Sequence, residues 1–192
     1  MEPCHTVSCS SERHPITIRS IPAADTYALR HAVLWPNKPL SYVQLPDDIA
    51  GQHFGAFISA PRLTTVAEKS KDSEDSEDNH NHSHNTTGYN KDANSEDLVS
   101  IISLFVNDDG DDDSGTARFR KFATAPAWQG RGVGSALLNY TIETAARNGA
   151  TSIWCDARQS ALPFYQRFGM SGEGEVFFKG ELPYLRMSRA LP

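Results

Sequence analysis

The chain has 192 residues, 39% of them hydrophobic, with a formal net charge of −6 at pH 7. That length suits one domain with a full apolar core, and no run of eighteen apolar residues is present to span a bilayer. The acidic total hides a division. Residues 67–97 hold nine acids and three lysines, and "DDGDDD" at 108–113 holds five more acids, which leaves ten acids against fifteen Lys and Arg elsewhere. The part that folds is therefore basic and suits a polyanionic ligand, while its insertions are acidic.

The opening "MEPCHTVSCSSERHP" has no apolar segment of the secretory kind, and residues 1–14 read as a flexible terminus. Cys4, Cys9 and Cys155 form neither a disulfide nor a ligand pattern, so a reducing, cytoplasmic setting is expected. "ITIRSI" (16–21) alternates as a strand does. "PAADTYALRHAVLWP" (22–36) predicts a helix between two prolines, with Ala24, Tyr27, Ala28 and Val33 or Leu34 on its buried side. "HFGAFIS" (53–59) predicts a second strand.

Residues 67–97 are polar and nearly free of large apolar side chains, so burial cannot offset the entropy of ordering them. His80, His82 and His84 in this disordered insertion read as part of a solvated linker rather than as a metal tether, and no metal site is expected. "DLVSIISLFVN" (97–107) and "TARFRKFATAP" (116–126) predict an antiparallel hairpin. Its "DDGDDDSG" tip lacks the ligand spacing of a calcium loop. A helix over Val133–Arg147 carries an apolar stripe of Val133, Leu137, Leu138, Thr141, Ile142 and Ala145 and stops at Asn148-Gly149. Strand "TSIWCDA" (151–157), short helix "ALPFYQRFG" (161–169) and strands "GEVFFKG" and "PYLRMSR" complete the chain.

Gly130, Gly132 and Gly134 run straight into the long helix. The spacing fails the dinucleotide fingerprint at its last glycine, and the loop lacks the lysine of a P-loop. A diphosphate held on bare amides at a helix start does fit, with Arg131 as a nearby positive charge.

"Gln129-Gly130-Arg131-Gly132-Val133-Gly134" resembles the Q/R-x-x-G-x-G/A signature of the GCN5-related N-acetyltransferase (GNAT) superfamily, with Pro126 and a downstream "FYQRFGM" also at family-like positions. The C-terminal "GEVFFKGELPYLRM" looks like the ElaA branch. The resemblance implies a mixed α/β (α+β) GNAT fold: a central mixed, twisted sheet of six to seven strands flanked by helices on both faces. Residues 15–192 would form one N-acetyltransferase domain interrupted by the 67–97 insertion. It implies acetyl-CoA as co-substrate and a small-molecule or peptide amine as acceptor, attacked directly in a ternary complex. Neither nucleic acid nor membrane is an expected partner, and a homodimer stays open.

Carried onto this chain, the family pattern has Gln129, Gly130, Arg131, Gly132, Val133, Gly134 and Ser135 wrap the diphosphate. Phe122, Ala123 and Thr124 offer a strand edge to the pantetheine arm, with an oxyanion donor at the amide of Ala123 or Thr124. Tyr165 becomes the proton donor to the leaving thiolate. Ala157-Arg158 stand where an Asn is frequent in the family, which puts the usual cofactor contact there in question. Asp156, Glu173, Glu175 and His31 remain open as general base, beside a route through water. Cys155 reads as a buried strand thiol rather than a nucleophile. Residues 22–46 and the C-terminal hairpin, with Tyr27, Trp35, Tyr42 and Tyr184, are expected to shape the acceptor pocket. The alternative is a non-catalytic acyl-CoA-binding module on the same fold.

Overall fold

A computed structural model describes residues 15–59, 96–106 and 115–192. The expected insertion, the hairpin tip at 108–114 and the terminus at 1–14 therefore fall wholly or mostly outside the described residues. Seven strands form one sheet in the order β1-β2-β3-β4-β5-β7-β6. They are β1 (Ile16–Ser20), β2 (Gln52–Ser59), β3 (Glu96–Val106), β4 (Thr116–Thr124), β5 (Ser152–Arg158), β6 (Ser171–Lys179) and β7 (Leu182–Ala190). All neighbours are antiparallel except β4 and β5, which are parallel. β3 begins at Glu96, so Glu96 and Asp97 belong to the sheet rather than to the insertion.

Helix α2 (Val133–Arg147) has the bounds its sequence predicts, and the whole predicted stripe is buried. It covers one face of the sheet together with α3 (Leu162–Gln166). The main core lies there, built from alternate residues of the central strands such as Ile102, Leu104, Phe119, Ile153 and Met187. A smaller cluster of Ile21, Phe57, Ile101 and Ala123 lies on the other face under α1 (Ala23–Leu29). β1 and β6 are the exposed edges.

The first helix differs from expectation. It is α-helical only to Leu29 and continues over Arg30–Leu34 as a wider π turn. Ala24 and Ala28 are exposed, while Thr26 and Arg30 are fully buried. Arg30 donates to Asp48 Oδ2 at 2.8 Å, to the Val43 carbonyl at 3.0 Å and to Ser103 Oγ at 2.9 Å. This partnership turns a polar residue inward and rotates the two alanines out. It also ties α1 to the 3-10 turns at Leu40–Val43 and Pro46–Ala50.

Candidate active site

β4 and β5 pair only at their beginnings, Thr116–Arg118 against Ser152–Trp154. β5 stays paired with β7 along its length, and β4 stays paired with β3. The two facing edges thus separate toward Thr124 and Arg158, leaving main-chain groups without a ladder partner. A cleft of about 700 Å³ opens at this wedge.

β4 deforms as it enters the cleft. Ile101 lies opposite Ala123 and Ser103 opposite Arg120, so β4 carries one extra residue. Lys121 takes a φ of 54° at this bulge, a left-handed conformation that costs a side-chain-bearing residue about 1 kcal/mol. Bulges of this kind re-aim side chains beside functional sites.

The glycine loop adjoins the end of β4. Gly130 and Gly132 have φ of 73° and 84°, and a Cβ added at either meets nothing within 4 Å. Gly132 is the N-cap of α2 and no side chain caps the helix. The helical ladder starts with Ala136 N–H donating to the Gly132 carbonyl at 2.9 Å. The amides of Val133, Gly134 and Ser135 therefore lack an α-helical acceptor, beside the positive end of the helix dipole. Gly134 has a different role. A Cβ there would stand 3.0 Å from Thr124 Oγ1 and 3.3 Å from Phe122 Cζ, so this glycine lets α2 lie close on β4. Gln129 braces the loop by donating from Nε2 to the Thr124 carbonyl at 3.0 Å.

The cleft brings together Phe122, Ala123, Thr124, Gln129, Gly130, Gly132, Gly134, Ser135 and Tyr165. Two expected residues do not line it. Val133 is the first inward position of the α2 stripe and is 1% exposed. The Arg131 guanidinium lies over the Trp128 ring, 5.1 Å from its centroid.

Tyr165 sits on α3 against Phe119 at 5.9 Å and edge-on to Phe164 at 5.2 Å. Burial first, and then the neighbouring Cys155, push its phenol well above the ordinary tyrosine value, so it stays protonated. Cys155 is buried in the main core, and burial likewise pushes its thiol up, away from a thiolate.

The four candidate bases are otherwise engaged or absent from the cleft. Burial acts to raise the pKa of Asp156, but the hydrogen bond from Lys179 at 2.7 Å and the nearby Arg118 at 3.1 Å outweigh it and hold the carboxyl low. Such a carboxylate is a weak base. Glu173 accepts from Ser188 on the exposed hairpin, and Glu175 is exposed on β6. His31 Nε2 is bound to the Lys38 carbonyl at 2.6 Å. Of the four, Asp156 alone lines the cleft.

Trp35 and Tyr184 line the cleft as expected, whereas Tyr27 and Tyr42 do not. Sequence reading passed over Lys121. Its ammonium lies 4.5 Å from the centroid of Trp35. Burial, then the like charges of Arg120, Arg30 and Lys179, lower its pKa to about 8. The available signal was "RFRK" at 118–121, three cations in four residues on a strand leading to the glycines. Around it the sheet face opposite the main core is cationic. Trp154 is held between the guanidinium groups of Arg118 at 4.2 Å and Arg186 at 4.0 Å.

The wedge, the bulged strand and the uncapped glycine loop form one arrangement on the β4–β5 side of the sheet. Residues 56–170 match the model of the acetyltransferase (GNAT) family. The Bacillus subtilis (strain 168) protein YitI, described as an uncharacterized N-acetyltransferase, is 23% identical over 164 residues, covering 84% of this chain and 87% of YitI. Escherichia coli ElaA has a similar fold with a TM-score of 0.60 at 19% identity, covering 91% of this chain and 99% of ElaA. A GNAT family acetyltransferase from Elizabethkingia anophelis, solved with acetyl-CoA bound, has a TM-score of 0.53 at 16% identity over 92% of this chain and 98% of its own. With the family model spanning both sides of the wedge and the glycine loop, the chain belongs to the acetyltransferase (GNAT) family.

Proposed function

We propose that this acetyltransferase moves the acetyl group of acetyl-CoA to a primary amine of a small molecule or peptide, by direct attack in a ternary complex. One observation carries the reading: Gly130 and Gly132 hold a left-handed loop that is open where a Cβ would point, at an uncapped helix start beside the β4–β5 wedge. The loop fits a diphosphate, because its amides and the α2 dipole favour an anion and the space beside Gly130 and Gly132 is open. The free edge of β4 at Phe122, Ala123 and Thr124 is suited to a pantetheine arm lying alongside as an added strand.

Bound acetyl-CoA supplies the activated thioester. A main-chain amide at Ala123 or Thr124 then stabilises the oxyanion that forms when the amine adds to the carbonyl carbon. As the carbon–sulfur bond breaks, the Tyr165 hydroxyl gives its proton to the departing sulfur. The amine loses its own proton to water, since Asp156 is committed to Lys179 and Arg118. The acceptor enters between the Trp35 end of the first helix and the β6–β7 hairpin. A reducing, cytoplasmic setting suits the free thiol of Cys155.

The test is thiol release from acetyl-CoA across a panel of amines, with the products weighed by mass spectrometry. The reading requires amine-dependent release and a product heavier by one acetyl group. Binding of acetyl-CoA without transfer to any amine class would instead support an acyl-CoA-binding module.

A further inference from the structure

The cleft is lined by cations out of proportion to its acids. Arg118, Arg120, Lys121, Arg158, Arg167 and Lys179 line it, against a single carboxylate, Asp156. The pairs inside this set can be assigned. Asp156 is shared between Arg118 and Lys179, and Arg120 is paired with Asp47 from the turn at Pro46–Ala50. Lys121 has no carboxylate in ion-pair range among the described residues. Its ammonium lies over the Trp35 ring.

Position separates Lys121 from the cations that could serve a cofactor phosphate. Tyr165, Phe164 and the stripe of α2 pack on the main-core face of the sheet, and Arg167 lies over Phe164 at 5.1 Å on that side. Lys121 points to the opposite face, toward Trp35 at the end of the first helix. The β4 bulge directs it there, because the extra residue breaks the alternation that would follow Arg120. Arg158 and Tyr184 face each other across β5 and β7 at the far wall, with Arg158 Nε 3.4 Å from the Tyr184 hydroxyl. Around this half-buried ammonium the charges of Arg120, Arg30 and Lys179 outweigh that of Asp47, which is itself paired with Arg120. A ligand that brings one negative charge relieves that excess.

We propose that the acceptor is an amine that also carries a carboxylate, an amino acid or a compound built like one, with its carboxylate received by Lys121 and its body between Trp35 and Tyr184. This rests on the acetyl-transfer reading above and narrows its acceptor. On the Trp35 side of the sheet Lys121 offers one ammonium to one carboxylate, while Arg167 lies on the main-core face and Arg158 at the far wall against Tyr184. The same field repels polyamines, whose extra positive charges would meet Lys121, Lys179 and Arg158.

The experiment compares matched pairs that differ only in that charge. Calorimetry on the full chain uses N-acetyl amino acids against their uncharged amides, in the presence of CoA. Thiol release uses the parent amino acids, their amides and the corresponding decarboxylated amines. The acid forms should bind at least tenfold tighter than the amides and give a correspondingly lower KM. Lys121→Met should remove that preference while changing amide binding less than threefold, and Lys121→Arg should restore part of it. Equal binding of acid and amide by the wild type overturns the proposal, as does an acid preference that survives in Lys121→Met. Acetyl-CoA binding is measured separately. Its failure, together with absence of transfer to every amine, counts against the acetyl-transfer reading, while the acid–amide comparison still decides the anion site.

Discussion

At the scale of single residues, Tyr165 and Lys121 are opposite cases of burial. Burial holds a phenol protonated and makes it a weaker acid; it drives an ammonium toward neutrality and so weakens its charge. Tyr165→Phe removes the proposed proton donor but keeps the contacts with Phe119 and Phe164. Its kcat should fall about 100-fold or more with acetyl-CoA affinity within about threefold, read by steady-state kinetics beside calorimetry. Lys121 has a folded pKa near 8, below its ordinary 10.5. The unfolded chain therefore binds more protons than the folded one between those values, and stability rises with pH across that window. Replacing Lys121 with Met should raise the melting temperature at pH 7, by a free energy on the order of 1 kcal/mol after solvent screening. The gain should fade as pH climbs from about 8 through 10.5. Affinity for an N-acetyl amino acid should fall over the same range as Lys121 discharges, with Arg120, Arg30, Lys179 and Asp47 setting where the fall begins. Tyr165 could be singled out in the sequence because a signature surrounds it. Lys121 could not, since its environment is made by a bulge and by Trp35, 86 positions away.

At the scale of elements, the three glycines divide into two kinds. Gly132→Ala adds a methyl to a left-handed residue with open space around it. The fold should lose about 1 kcal/mol, while acetyl-CoA binding weakens tenfold or more because the methyl points where the diphosphate is proposed to lie. Gly134→Val acts through packing. Its Cβ would press on Thr124 Oγ1 and the Phe122 ring, so α2 must lift from β4. The expected cost is about 1–3 kcal/mol of stability, with binding lost as a consequence. Denaturant unfolding and calorimetry on both variants separate the two effects. The elements themselves were largely readable. The α2 stripe fixed its bounds, and alternation gave the strands. Alternation also hid the irregularity in β4, where an inserted residue obeys the pairing with β3 rather than any local preference.

At the scale of the whole molecule, Arg30 and Asp48 fasten the first helix to the turns and, through Ser103, to β3. His53 joins the same group, with Nδ1 at 2.9 Å from Ser103 Oγ and Nε2 at 2.9 Å from the Asp48 carbonyl. Arg30→Met leaves the Asp48 carboxylate buried and uncompensated. It should cost about 3–5 kcal/mol, a fall in melting temperature on the order of 10 °C. Burial alone would raise the pKa of Asp48, but the hydrogen bond from Arg30 and the Leu45 amide bring it below its ordinary 3.8. The stabilisation is complete above that ordinary value and is lost as pH falls through the lower folded one, so the acid limb of a stability curve should flatten in Arg30→Met. The element order and mixed sheet were legible because each element announces itself locally. The inward turn of Arg30 was not, because the acid that receives it lies 18 positions along the chain.

The chain has three tryptophans, and each stands at the wedge: Trp35 and Trp128 in its lining, and Trp154 clasped behind Arg118. Native emission should therefore respond through Trp35 and Trp128 when the cleft fills. Unlabelled protein titrated in a fluorimeter becomes its own occupancy gauge, and replacing Trp35 or Trp128 in turn by Phe would tell which end of the groove a given compound occupies.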